Sequence, residues 1–199
     1  MTQTRPADPA LMWNGDWSGR KIDYARHVHD LRTSSYEGAV SRQEREAVFG
    51  RAFDLVTPVA RRVLAGLNQT FLRNSGQIRI VAPERVPEGG LIGSWQISWP
   101  ALETARNRFD QSSLGPVALS AVFPLTATGQ MHWTHPHFAI LRSCCRDGLA
   151  CAWPMQVTSP EDACRQEPIL RVMAEAEMHQ KTYLSDLNWR ILVSLHEEL

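Results

Sequence analysis

The chain has 199 residues, 43% of them hydrophobic and 21% charged, and its 21 Lys and Arg are balanced by 21 Asp and Glu. That size and balance suit one globular domain able to bury a full core, without the basic excess of a nucleic-acid-binding domain. No apolar run reaches the ~18 residues a membrane span needs, and the polar residues 1–10 lack the apolar core of a secretory leader. The expected location is therefore cytoplasmic, with neither nucleic acid nor membrane as a partner.

Residues 1–40 read as an irregular extension of unassigned role, in which Trp13, Trp17, Tyr24 and Tyr36 serve as aromatic anchors and His27 and His29 sit at the surface. The pattern changes at residue 41, where the domain, residues 41–199, is expected to begin. Ser41 and Glu44 have the S-x-x-E form of a capping box. Phe49, Phe53, Val56, Val63, Leu64 and Leu67 then recur at helical spacing. Pro58 removes an internal hydrogen bond from that run, which predicts a kink or two consecutive helices.

Three strands follow in expectation: residues 77–82 with Ile78, Ile80 and Val81; residues 91–99 with Trp95, Ile97 and Trp99 on one face; and residues 117–123 with Leu119, Ala121 and Phe123. Residues 83–90, with two prolines and two glycines, read as the turn between the first two. Residues 131–141 form a fourth apolar segment, broken by Pro136. A loop rich in Cys and Arg comes next, and Ser159 or Thr158 can cap a helix entered through Pro160, Glu161 and Asp162. Leu184, Leu187, Ile191, Leu192 and Leu195 share a helical face, so a helix is expected to run, or restart, to the end.

The four cysteines, Cys144, Cys145, Cys151 and Cys164, fall close together. In a reducing compartment such a cluster points to a metal site or a reactive thiol rather than a disulfide framework, or to thiols packed as small apolar side chains. The metal alternative would use His135 and His137, which share a face on an extended segment, together with Cys145 or Cys151. No C-x-x-C pair or H-E-x-x-H helix supports it, and Pro136 disturbs a regular strand.

Gly93-Ser94-Trp95-Gln96-Ile97, Val122-Phe123-Pro124, His135-Pro136-His137, Gly148-Leu149-Ala150-Cys151 and Trp153-Pro154 occur in that order. With the preceding helix and the following helices, this order resembles the ubiquitin-conjugating (E2) enzyme family, and its motif variants look more like a bacterial member than a eukaryotic one. The resemblance implies an α+β fold with an N-terminal helix, a four-stranded antiparallel meander and C-terminal helices. It implies a transferase that takes a ubiquitin-like protein from an E1-like activating enzyme as a Cys151 thioester and passes it to an amine, with no cofactor. His135 and His137 complete the implied catalytic set, and His137 stands where the family has an asparagine. An imidazole N–H could replace that amide as a hydrogen-bond donor.

The interval from His135 to Cys151 exceeds the family's by several residues, all within 141–146, so Cys145 is the rival nucleophile. The Asp147-Gly148 turn, expected to present Cys151 from a loop, and the following Trp153-Pro154 favour Cys151. Arg142 and Arg146 would favour a thiolate if near it, and Asp147 could orient an amine, but each reads first as a solvated loop or turn residue. Cys164, in an expected helix, reads as a packing residue. A non-catalytic module of the same fold, binding a ubiquitin-like protein or another partner, is the remaining alternative.

Overall fold

The computed structural model of the chain describes residues 17–87, 89–124, 135–141 and 149–192. It is an α+β fold in which helices cover one face of a five-stranded antiparallel sheet.

Trp17–Thr33, within the stretch read as irregular, is a helix, α1. The second helix, α2, spans Arg42–Leu72 and starts on the expected capping box: Ser41 Oγ accepts the Glu44 amide at 3.2 Å, and the Glu44 carboxylate accepts the Ser41 amide at 3.1 Å. Pro58 neither ends nor divides α2. Pro58 and Asp54, whose carbonyl loses its helical donor, both lie on the exposed side, where water can stand in for the missing N–H. The helix ends on Arg73 in the left-handed region, φ 47°. The Asn68 side chain then fixes the turn, accepting the Gly76 amide at 2.8 Å and donating to its carbonyl at 3.1 Å.

The strands are β1 (Gln77–Arg85), β2 (Leu91–Ser98), β3 (Val117–Phe123), β4 (His137–Leu141) and β5 (Leu149–Pro154), hydrogen-bonded in chain order. The turn expected over residues 83–90 is shorter, because β1 runs on to Arg85 through an irregularity between Val81 and Glu84. Proline can occupy an edge strand at such a bulge. The register sets Ile80 and Leu119 opposite Trp95, and Ile78 and Val117 opposite Ile97. Trp95, Ile97, Leu119 and Phe123 are all buried, as their period-two spacing predicts. Phe53 of α2 stacks on Trp95 at 4.5 Å and 11°, and Trp95 Nε1 donates to Thr57 Oγ1 at 2.9 Å.

Between β2 and β3 lies a short helix, α3 (Pro100–Thr104). After β5 come α4 (Pro160–Arg165), capped by Ser159 as expected, and α5 (Glu167–Leu184), which packs beside α2 and over β3. No unbroken helix continues past Leu184. Ser185 turns to extended backbone and bridges to Asn107, and a single 3-10 turn follows at Asn188–Ile191, held where the Trp99 indole, between β2 and α3, donates to the Ile191 carbonyl at 2.7 Å. Leu195 lies outside the described residues. Among the described residues no helix is long and apolar enough to cross a membrane.

Candidate functional site

The histidine motif sits at the start of β4. Pro136 accepts the Met155 amide at 2.9 Å, and His137 opens the strand opposite Val122 and Pro154. Both imidazoles are buried, His135 at 6% and His137 at 2% exposure. His135 Nε2 lies 2.9 Å from the Ser35 carbonyl, and His137 Nδ1 lies 3.0 Å from the His135 carbonyl. A carbonyl only accepts, so these two nitrogens carry the protons. In neutral His137 the other nitrogen, Nε2, is then a lone-pair acceptor. The N–H through which His137 was expected to replace the family's asparagine is committed to the backbone.

Burial, and secondarily the nearby His27, hold the His137 pKa below its ordinary value, against the opposing effect of the His135 carbonyl. His27, expected at the surface, is half-buried, and its ring meets that of His135 edge-on at 5.5 Å and 88°. Burial, and then His135, also lower its pKa, while Asp30 opposes them.

Cys151 was expected in a loop, but its backbone lies in β5, paired with Ile140. It is three ladder positions from Pro154, the partner of His137, which is roughly 10 Å along the strand at ~3.4 Å per residue. The structure thus brings His135 and His137 together, adds His27, and sets the Cys151 backbone well along the ladder from them. Only the backbone of Cys151 is described. Cys144, Cys145, Arg142, Arg146 and Asp147 lie outside the described residues. Cys164 stands exposed on α4, not packed as expected. Among the described residues no group of three or more His, Cys, Asp or Glu side chains could hold a metal ion.

Sequence reading missed the elements that enclose the histidines. Arg26 donates to Glu37 at 2.6 Å, Asp162 at 3.3 Å and Thr158 at 3.2 Å. Asp23 accepts from Arg165 at 3.3 Å and Gln166 at 3.0 Å, and Arg165 also pairs with Asp162. Asp30 accepts from Ser35 Oγ at 3.1 Å, the Glu37 amide at 2.9 Å and Gln156 at 3.4 Å. Tyr36 is fully buried, and its hydroxyl donates to the Met155 carbonyl at 3.1 Å. Burial opposes the Asp162 charge, but the Thr158 amide and hydroxyl with Arg26 and Arg165 hold its pKa below the ordinary value. At Glu37 burial prevails over Arg26 and the pKa is raised. The available signal was the i, i+3, i+4, i+7 spacing of Asp23, Arg26, His27 and Asp30, a helical stripe that is polar where an amphipathic reading seeks apolar residues.

No protein-family model, no curated protein and no solved structure matches this chain. The class shown is therefore the fold itself, α+β with a five-stranded antiparallel meander.

Proposed function

We propose that this chain is an E2-like transferase in which the Cys151 thiolate attacks the thioester of a ubiquitin-like protein on an E1-like enzyme. The sulfur–carbonyl bond forms as the E1-like thiolate leaves. An acceptor amine then attacks the same carbonyl, loses its proton, and expels the Cys151 thiolate. The observation that carries this reading is connectivity: a capped helix leads into an antiparallel meander, the His-Pro turn enters β4, the next strand carries Cys151, and two helices follow. With about 10 Å along the ladder between the His137 and Cys151 backbones, His135 and His137 support the reaction by shaping the chain around the site.

Incubation with a matching E1-like enzyme, ATP and modifier should give an adduct cleaved by a reducing thiol. Cys151→Ser should abolish it or convert it to a more stable ester, and Cys145→Ser should leave it intact. Loss of the adduct only in Cys145→Ser would move the nucleophile. The second reading, a non-catalytic module of the same architecture, draws on the strand position of Cys151 and the committed N–H of His137. No adduct from the unmodified protein, with an E1-like partner active on another E2, would favour it. A tightly held metal, lost when His135 and His137 are both changed to Ala, would favour a metal-dependent enzyme instead.

A further inference from the structure

Helix α1 is built the wrong way round for a core helix. Its body-facing side carries Asp23 and Asp30, both buried, with Arg26 and His27 half-buried between them. Among its described side chains the large apolar residues Ile22, Tyr24 and Leu31 face water, at 55%, 64% and 45% exposure. A helix that holds a fold together does the reverse. Side-chain hydrogen bonds tie α1 to the body, Arg26 to Asp162 and Thr158, Asp23 to Arg165 and Gln166, and Asp30 to Gln156, while the His27 ring meets His135 edge-on. Arg26 and Arg165 remain partly exposed, so salt weakens these pairs.

The next segment has the features of a hinge. Ser34, Glu37 and Gly38 all have left-handed backbone, φ 52°, 48° and 80°, while Tyr36 between them is locked in the core. His135 and His137, at 6% and 2% exposure, cannot meet a protein substrate as they stand.

We propose that α1 is a releasable cover over the His-Pro turn, docked by the ionic seam of Asp23, Arg26, Asp162 and Arg165 and hinged at residues 34–38, and that its release opens the histidine site to protein partners. This regulation rests on the reading in which the His-Pro turn belongs to the working site.

Hydrogen exchange of the full chain, followed by mass spectrometry in 50 mM and 1 M sodium chloride, tests it. Amides of α1 should exchange at least tenfold faster than those of α2 and α5, and severalfold faster again in high salt. Arg26→Ala should raise α1 exchange and the mapped diethyl pyrocarbonate modification of His135 severalfold, leaving α2 and β1 to β3 unchanged. Leu31→Ala, on the exposed side, should change neither. Exchange of α1 in step with α2 at both salt concentrations, or equal acceleration of every element by Arg26→Ala, would overturn the proposal by making α1 part of the cooperative core. The salt arm uses the unaltered protein, so a variant that fails to fold cannot obscure the result. Neither readout needs the E1-like enzyme or the modifier: a releasing α1 without adduct removes the transferase and leaves the cover, and an adduct with a firmly docked α1 does the opposite.

Discussion

A histidine that donates one ring N–H to a carbonyl has its other nitrogen unprotonated while the ring is neutral, and burial favours that neutral state in His137. The consequence is a pH dependence. In the unfolded chain His27 and His137 titrate near the ordinary value of 6.5, while in the folded chain both lie lower. Their contribution to stability is therefore complete above about pH 6.5 and lost as pH falls through that value toward the folded pKa. Glu37, raised by burial, pulls the other way and is relieved by acid. We expect the urea midpoint to be lower at pH 5.5 than at pH 7.5, and His137→Asn, whose amide can still donate to the His135 carbonyl, to narrow the difference. An unchanged difference in the variant would show that His137 does not carry it. At Gly93 the constraint is steric. An added Cβ would stand 2.5 Å from Phe53 Cε2, and Phe53 is itself stacked on Trp95. Gly93→Ala should cost about 1–3 kcal/mol, the range for overpacking a filled core, read as a lower urea midpoint with unchanged slope.

Helix α2 carries two local features whose effects oppose each other. The reciprocal bonds between Ser41 and Glu44 satisfy two amides at its start, so Ser41→Ala should destabilise by about 1 kcal/mol. Pro58, in the middle, leaves the Asp54 carbonyl without a helical donor on the exposed side. Pro58→Ala should stabilise by about 1–3 kcal/mol, less than the full interior cost of proline because the unfolded chain gains freedom at the same time. Chemical denaturation of the two single variants and the double variant checks both. The sites are far apart, so their effects should add within about 0.5 kcal/mol. If Pro58→Ala destabilises, the proline fits α2 better than its missing hydrogen bond implies.

At the scale of the whole molecule, the core of the described residues is one continuous layer, from the buried side of α2 across the sheet to Leu170, Met173 and Met178 of α5. Leu64 is fully buried within it. Leu64→Ala should cost about 2–5 kcal/mol by removing its burial and leaving a cavity. For a chain of this size that is a fall of roughly 5–15 °C in Tm. Helical circular dichroism and tryptophan fluorescence should shift together, because α2 packs directly on the strand that carries Trp95. Separate transitions would show that helix layer and sheet do not unfold as one.

The sequence by itself determined what depends on neighbours along the chain. Ser41 and Glu44 are three residues apart and cap their own helix. Trp95 and Ile97, and Leu119 and Phe123, alternate and so take the inner side of the sheet. Ser159 and Pro160 begin a helix because a hydroxyl and a fixed φ suit its first turn. Tertiary structure decided what depends on residues far away. α1 was illegible because the groups that bury its polar stripe, Thr158, Asp162, Arg165 and His135, lie more than 100 positions along the chain. β5 was read as a loop because a short run of Leu, Ala and Cys shows no alternation, and it becomes a strand through pairing with β4. The motif His135-Pro136-His137 was visible as letters. Which ring nitrogen carries the proton was settled by two carbonyls, those of Ser35 and His135, because the protonation of an imidazole follows the partner that the fold supplies.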